Sequence, residues 1–227
     1  GERRRAEAAR LAQITLDAGT TVQTATTSAA LVIGDGSTVT VDGLVSGGWQ
    51  GGIVGGTFLF PTDSPPFARG FANSTITVNQ NGEVDATGAF NDSAAIGGAR
   101  GGNTYFIYGT LHGFGANDGI EVGDGDHVTV GGAGHIVVDS TSTVGDIVSG
   151  PLGSAANVTV TADAGSLLET HSGSGSAVNL GAGANVTVGG TIHAYGTNPA
   201  NPSAQGGSGI HVGDNSTVLL QSTGSFI

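Results

Sequence analysis

Residues 178–194 read VNLGAGANVTVGGTIHA and contain one complete unit of a repeat that predicts the fold. Two apolar alternations, Val178-Asn-Leu180 and Val186-Thr-Val188, flank the turn Gly181-Ala-Gly183, and another glycine precedes Thr191-Ile192. Alternation with period two turns one face of a strand inward, and Val, Ile and Thr favour the pleated backbone. Glycine supplies the positive φ that tight corners require. The stretch therefore predicts three short strands joined by two tight turns.

The same unit recurs along the whole chain. Successive central alternations begin 23 to 37 residues apart, a loose period that is typical of solenoids. No helical spacing lies between the strands, so equivalent strands must stack directly in parallel. We expect an all-β, single-stranded parallel β-helix (a β-solenoid) of about eight coils with three short strands each, and a right-handed coil, as is usual for parallel connections. A β-sandwich is the alternative, but it requires hairpin turns and leaves the three-strand unit unexplained. The central alternations begin at Ile14, Val39, Ile76, Tyr105, Val128, Val158, Val186 and Val218.

Composition excludes several classes of protein. The 227 residues include 43 Gly but only 6 Pro, which fits neither collagen nor a Pro-rich disordered chain. With no Cys, disulfides and Cys-type zinc sites are impossible. A net charge of −12 argues against a nucleic-acid partner. No apolar run approaches the ~20 residues that a membrane-spanning helix needs, so we expect no transmembrane segment.

Two sequence units carry a resemblance to a known family. The unit G-I-x-V-G-D occurs at 119–124 and 209–214, and N-V-T-V-G-G-T-I occurs at 185–192. Both resemble the passenger domains of bacterial autotransporters and related β-helical surface adhesins, over residues 14–227. The resemblance implies an extracellular or bacterial cell-surface location. It also implies a non-catalytic structural or adhesive role, in surface attachment and self-association, without a cofactor.

The first thirteen residues differ from the rest. Glu2 to Gln13 are good helix formers, so residues 1–13 are expected to form a helical cap over the first coil or a basic arm. A basic arm beside an acidic rod predicts docking on a neighbouring copy; the alternative is a frayed terminus or a cloning remnant. The arm holds four of the six arginines, namely Arg3, Arg4, Arg5 and Arg10.

Residues 46–72 form a Gly- and aromatic-rich insertion that accounts for the longest spacing between units. Exposed aromatic and arginine side chains dominate interfaces, so the insertion predicts a contact surface. In the alternative interpretation it folds over the coil edge and buries its own aromatic rings. The candidate contact residues are Trp49, Phe58, Phe60, Phe67, Arg69 and Phe71.

The last coil is expected to be bare. An uncovered coil exposes unpaired backbone groups, which are a template for strand addition. The chain would then be either a fragment of a longer rod or the subunit of a head-to-tail homopolymeric extracellular filament. The expected partners are therefore the protein itself, end to end or laterally, or a surface ligand. The edge residues are Val218, Leu220, Phe226 and Ile227.

A polysaccharide-active β-helix enzyme is a further alternative, but the sequence offers no clear set of catalytic acids and bases. The acidic residues are scattered, Lys is absent, and only Arg69 and Arg100 lie beyond the arm. We therefore expect no catalysis and no metal cofactor. The densest acidic cluster offers weak calcium candidates but matches neither an EF-hand nor a calcium-binding nonapeptide. Those candidates are Asp118, Glu121, Asp124 and Asp126.

The remaining polar residues are expected to serve the backbone or the solvent. Turn roles are predicted for Asp35, Asp124 and Asp214, which share one offset. His112, His193 and His211 alternate with apolar residues and are expected to be solvated on the surface. Four N-x-[ST] asparagines just before strands are expected to be corner residues rather than glycosylation acceptors. They are Asn73, Asn157, Asn185 and Asn215.

Overall fold

The three-dimensional structure is a computed structural model that describes residues 12–24, 28–48, 50–55, 70–88, 94–115, 118–140, 145–150, 154–171, 175–195 and 208–227. These ranges hold 23 β-strands and no helix, and therefore no helix that could cross a membrane. Residues 1–11 of the predicted arm or helical cap (residues 1–13) lie outside the described residues, and Gln13, which was placed in that segment, begins the first strand.

The strands form three parallel sheets, which we call A, B and C. The chain visits the sheets in the order A, B, C and then returns to A one coil further on, so that each strand pairs with its equivalents in the neighbouring coils. The predicted parallel β-helix with three strands in a coil is thereby confirmed.

Sheet A holds eight strands, four residues each. They are Gln13–Leu16 (β1), Thr38–Val41 (β4), Thr75–Val78 (β7), Thr104–Ile107 (β10), His127–Val130 (β13), Thr159–Ala162 (β16), Asn185–Val188 (β19) and Thr217–Leu220 (β22).

Sheet B also holds eight strands. They are Thr21–Gln23 (β2), Leu44–Gly47 (β5), Glu83–Gly88 (β8), Thr110–Gly115 (β11), His135–Ser140 (β14), Leu167–Thr170 (β17), Thr191–Ala194 (β20) and Ser225–Phe226 (β23).

Sheet C holds seven shorter strands. They are Leu31–Ile33 (β3), Ile53–Gly55 (β6), Ala94–Gly97 (β9), Asp118–Glu121 (β12), Val148–Ser149 (β15), Val178–Leu180 (β18) and Ile210–Val212 (β21).

Inward side chains of the three sheets form one continuous apolar core. In sheet B, the register aligns one inward residue from each coil, and every strand from β5 to β20 contributes a fully buried side chain there. Burying such a side chain stabilises the fold by roughly 1.5–3 kcal/mol. This row runs Val45, Val84, Leu111, Ile136, Leu168 and Ile192.

A buried polar ladder closes the corner between sheets C and A. The backbone N–H of Ser37 donates to Oγ of Ser74, and that of Ser74 donates to Oδ1 of Asn103. The N–H of Asn103 in turn donates to Oδ1 of Asp126, at 2.7 Å. Each coil therefore satisfies a backbone donor of the preceding coil, which keeps buried polar groups paired. Val158 occupies the equivalent place in the next coil and interrupts the ladder.

The corner between sheets A and B requires glycine because successive coils approach closely there. A Cβ built on Gly134 would lie 2.2 Å from the carbonyl oxygen of Ile107, in the preceding coil. A Cβ built on Gly82 would lie equally close to the carbonyl oxygen of Val41. This close approach is the physical reason for the glycine that recurs before the third strand of the repeat.

The predicted central alternation at Val158 was wrong by two residues. Strand β16 begins at Thr159, and its register pairs Val128 with Val160 rather than with Val158. The segment V-T-V-T-A alternates in either frame. Because a shift of two residues keeps the same side chains on the inner face, alternation alone could not fix the frame.

The bounds 46–72 of the predicted insertion were also wrong. Residues 46–47 complete β5, residues 53–55 form β6, and residues 70–72 are buried. The extra length therefore falls between β6 and residue 70, and residues 56–69 lie outside the described part of the chain. The sequence also gave no sign of β9 and β15, because Ala94–Gly97 and Val148–Ser149 lack a polar–apolar alternation.

The predicted corner asparagines were largely confirmed. Asn73, Asn157 and Asn215 adopt positive φ of 52°, 56° and 58°. Asn185 is an exception, since it begins β19. Asp35, Asp124 and Asp214 all lie in turns, as predicted. Oδ1 of Asp35 also accepts the N–H of Ala72 in the next coil, and Oδ1 of Asp124 accepts that of Ala156.

Candidate functional site: the outward face of sheet B

The outward side chains of sheet B bring together residues from five successive coils. Register aligns Asp85, His112, Val137, Glu169 and His193 in one outward column. Two residues away along each strand, a second column aligns Thr87, Phe114 and Asp139, and His171 and Tyr195 continue it through backbone hydrogen bonds to Val138 and Thr170. We call this surface face B, defined by Glu83, Asp85, His112, Phe114, His135, Asp139, Glu169, His171, His193 and Tyr195.

Asp139 lies between two histidines of the neighbouring coils. Nε2 of His112 is 2.9 Å from Oδ2 of Asp139, and Nδ1 of His171 contacts the other carboxylate oxygen. Each side chain is about one third exposed, so the group is reachable from solvent. Burial alone would raise the pKa of the Asp139 carboxyl, but the bonds and charges of His171 and His112 outweigh it and lower that pKa below its ordinary value.

Glu169 repeats the arrangement one coil further on. Nε2 of His135 lies 2.8 Å from Oε2 of Glu169, and Nδ1 of His193 lies 3.7 Å from Oε1. The Tyr195 hydroxyl lies 3.4 Å from Oε1, at the long end of hydrogen-bonding range. A histidine–carboxylate–histidine group therefore occurs twice, displaced by one coil.

Aromatic rings border these two groups. The Tyr195 ring packs on the imidazole of His193, with centroids 3.6 Å apart. The rings of Tyr195 and His171 meet edge-on, with centroids 4.5 Å apart. Phe114 lies beside His112, with centroids 5.9 Å apart. Tyr195 is 37% exposed and Phe114 49% exposed, so both rings offer apolar area to a ligand.

A pair of carboxyl groups on β8 ends face B. Burial, and next the negative charge of Glu83, raise the pKa of Asp85 from 3.8 to about 6, although the charge of His112 opposes the shift. Oδ1 of Asp85 is buried without a hydrogen-bond partner. Because a buried unpaired carboxylate oxygen is costly, Asp85 holds its proton to a higher pH than an ordinary aspartate.

Face B is acidic at neutral pH. It carries four carboxyl groups, and its only basic side chains are imidazoles. Arg100, the arginine within the described ranges, pairs instead with Asp35 at the corner between sheets C and A, 2.8 Å away. A ligand of this face must therefore tolerate negative charge.

The predicted calcium candidates do not converge. Asp126 is buried, and its carboxylate accepts hydrogen bonds from the backbone of Asn103 and Gly123 and from the Tyr105 hydroxyl. Burial raises the pKa of Asp126, and those same bonds only partly oppose the shift. Asp126 is thus committed to the corner ladder.

The other three acidic candidates point elsewhere. Oδ1 of Asp124 accepts the N–H of Ala156 in the next coil, and Oδ1 of Asp118 in β12 accepts the N–H of Asp146, which precedes β15. Glu121 lies on the outer face of β12. Within the described ranges, no three His, Cys, Asp or Glu side chains are placed to hold one metal ion. Asp118 and Glu121 lie at the two ends of β12, and Asp124 and Asp126 lie in the turn that follows, where their carboxylates bond to different coils.

The predicted contact surface is mostly outside the described residues. Trp49, Phe58, Phe60, Phe67 and Arg69 lie there, as do the arm residues Arg3, Arg4, Arg5 and Arg10. Phe71 is described, and for this residue the prediction was wrong. It is fully buried, and its ring packs at 6.3 Å from that of Tyr105, so it belongs to the core.

Among the described residues no coil stacks on the last one, and its predicted edge residues are exposed. Their use in strand addition or filament assembly stays a prediction. The exposed fractions are 46% for Val218, 49% for Leu220, 43% for Phe226 and 70% for Ile227.

The sequence did not reveal face B. The histidines at 112 and 193 point outward as predicted, but each lies beside a carboxylate from the adjacent coil. His211 also has a partner, Asn179, at 3.0 Å. The recurring segment G-T-[LI]-H was the available signal, yet it gives no information about which acid faces the imidazole.

Comparison with protein-family models, with curated proteins and with solved structures found no match to this chain.

Proposed function

We propose that this chain is a non-catalytic, extracellular structural and adhesive β-solenoid of a bacterial cell surface, and that face B is its contact surface. The observation that carries the proposal is the clustering of exposed aromatic rings with histidine and carboxylate groups on one side of the coil, from β8 to β20. Five strands at ~4.8 Å spacing give a contact width of roughly 19 Å. Aromatic and hydrogen-bonding side chains of this kind are common at binding surfaces.

The shared carboxylates of face B favour a role in attachment over a role as a surface that only contacts solvent. A solvated face needs no shared carboxylates, whereas Asp139 and Glu169 are each held between two imidazoles. Side chains that are fixed before binding lose less conformational entropy when a ligand arrives. The acidity of the face favours neutral or cationic surfaces.

A retention assay tests this proposal. Labelled protein would be applied to beads coated with poly(vinyl alcohol), which is neutral and contains no sugar, with primary amines or with carboxylates. We expect retention on the first two coatings, and loss of retention when Asp139, Glu169 and Tyr195 are all replaced by alanine. The matched control replaces three outward residues of sheet A, Thr77, Thr129 and Thr161, by alanine. Equal retention of both triple variants would contradict a role for face B.

Self-association is part of the same proposal. The four arginines of the arm and the acidity of the rod are opposite in charge, and opposite charges favour docking between copies. Sedimentation of the full chain at low and high salt tests this. We expect oligomers that dissociate at high salt and that are absent when Arg3, Arg4, Arg5 and Arg10 are changed to alanine. A monomer at every concentration would contradict both self-association and the filament alternative.

The carboxyl pair on β8 favours a second, catalytic candidate. A carboxylic acid with a pKa of about 6, such as Asp85, can act as a general acid near neutral pH, and hydrolysis of glycosides uses paired carboxyl groups. Release of reducing ends from a panel of polysaccharides, lost on Asp85→Asn, would support an enzyme. Absence of release alongside retention on beads would support adhesion.

A further inference from the structure

A groove crosses the corner between sheets A and B, at the turns that precede the strands of face B. Its volume is about 480 Å³, within the range of ligand sites, roughly 300–1,000 Å³. Four successive coils contribute to it through the turns that follow β4, β7, β10 and β13. Its lining consists of Asp42, Asn79, Gln80, Asn81, Tyr108 and Ala133.

The groove results from unequal turn lengths. Two residues connect β10 to β11, but four residues connect β7 to β8 and β13 to β14. The short turn is therefore recessed between two longer ones. Tyr108 lies in the short turn, at the bottom, and the exposed residues Gln80, Asn81 and Ala133 form the two sides.

The Tyr108 ring is held in place and remains accessible. A Cβ built on Gly131 would lie 2.3 Å from the ring, so the ring packs against the backbone of the next coil. The Phe106 ring is parallel to it, with an interplanar angle of 1° and centroids 6.5 Å apart. Tyr108 is nevertheless 39% exposed. It is a fixed aromatic platform open to solvent.

Polar groups around the platform are also ordered. Nδ2 of Asn79 donates to both carboxylate oxygens of Asp42, at 2.9 and 3.0 Å. This fixes the amide oxygen of Asn79 and leaves acceptor capacity on the carboxylate. The amides of Gln80 and Asn81 add donors and acceptors at the rim. No lysine or arginine is among the lining residues.

We propose that this groove binds an uncharged pyranose unit of a glycan, stacked on Tyr108. A pyranose presents an apolar C–H face that suits an aromatic ring, and hydroxyl groups that suit amides and a carboxylate. The carboxylate of Asp42, without a compensating cation in the groove, opposes uronic acids and other anions. A strand-forming peptide is disfavoured because β10 is already hydrogen-bonded to β7 and β13, its neighbours in the adjacent coils. The site shares no residue with face B and does not depend on the adhesive role of that face.

Titration calorimetry and ligand-observed NMR test the inference on the full chain. The probes are cellohexaose, laminarihexaose and maltohexaose, with trigalacturonic acid as the anionic counterpart. We expect at least one neutral oligosaccharide to bind and the galacturonate not to bind. Tyr108→Ala should lower the affinity for the neutral oligosaccharide by about tenfold or more. The affinity of Tyr108→Phe should stay within about threefold of that of the parent.

Two further variants show whether a loss of binding arises at the groove or from misfolding. Replacement of both Gln80 and Asn81 by alanine changes only exposed turn residues, and it should weaken binding severalfold. Val32→Ala, an exposed apolar truncation on sheet C, should leave binding unchanged.

Any of three affinity results would overturn the inference, and so would one variant pattern given after them. These are no binding of any neutral probe at millimolar concentration, equal affinity of the Tyr108→Ala variant and the parent, and preference for the galacturonate. Loss of binding on Tyr195→Ala but not on Tyr108→Ala would place the sugar on face B and also overturn it. If bead retention is lost with the face B triple variant and no sugar binds, the groove proposal is contradicted and the adhesive proposal for face B is not.

Discussion

His112 and Asp139 lie on neighbouring strands of sheet B, and Nε2 of His112 is 2.9 Å from Oδ2 of Asp139, although the register places His112 opposite Val137. The contact is therefore diagonal across the sheet. His171, from the following coil, contacts the other oxygen of the same carboxylate. One side chain thus links the outer surfaces of three consecutive coils.

Asp139→Asn should reduce stability in a pH-dependent way. Because the pKa of Asp139 is lower in the folded state, its stabilising contribution is present above the unfolded pKa and is lost as pH falls through the folded pKa. We expect a loss of about 0.5–1 kcal/mol at neutral pH, since the group is partly exposed. Urea unfolding from neutral pH down to pH 2 measures it. A difference between variant and parent that stays constant with pH would contradict the explanation, and Asp17→Asn is the control.

Asp85→Asn should change stability in the opposite direction, making the protein more stable at neutral pH. The folded pKa of about 6 exceeds the ordinary 3.8, so ionised Asp85 destabilises the fold and its cost grows as pH rises through that window. After discounting for partial exposure, we expect the variant to be about 1–2 kcal/mol more stable than the parent above pH 7. The two should converge near pH 4. Chemical denaturation at several pH values tests this, and a variant that is less stable at pH 8 would refute it.

Asn103→Ala should break the corner ladder. Its side chain accepts the N–H of Ser74 and donates to the carbonyl oxygens of Phe71 and Gly98, all in buried surroundings. Leaving these groups unpaired should cost about 2–4 kcal/mol. Ser216→Ala removes a similar acceptor, for the N–H of Ala184, in the more exposed last coil and should cost less. Thermal and urea unfolding measure the loss of stability in both variants. Equal losses would contradict the role of Asn103 in the buried ladder.

Gly134→Ala should be among the most damaging small substitutions. The added methyl group would lie 2.2 Å from the carbonyl oxygen of Ile107, so the coils must separate. We expect a loss of more than about 3 kcal/mol or failure to fold. Gly34→Ala is the matched control, because no atom lies within 4 Å of its added Cβ and its φ is not positive. The control should be neutral or slightly stabilising, and similar stability of the two variants would disprove the close-approach argument.

The sequence alone determined the architecture of this protein. The alternation in β4, β13 and β19 set the inner face, and the glycines before β8 and β14 marked the corners. These features are local, since pleat and corner geometry depend on residues a few positions apart. Where local signals were absent or ambiguous, as in β9, β15 and the frame of Val158, sequence reasoning failed.

The positions of the candidate sites depend on contacts between coils. His112 and Asp139 are 27 residues apart, and Asp42 and Asn79 are 37 apart. They meet because each coil stacks in a fixed register on the last, while the loops between coils differ in length. A single sequence gives the period only loosely, so it cannot tell which side chains of successive coils become neighbours. Strand pairing fixes that register, and with it both face B and the groove beside Tyr108.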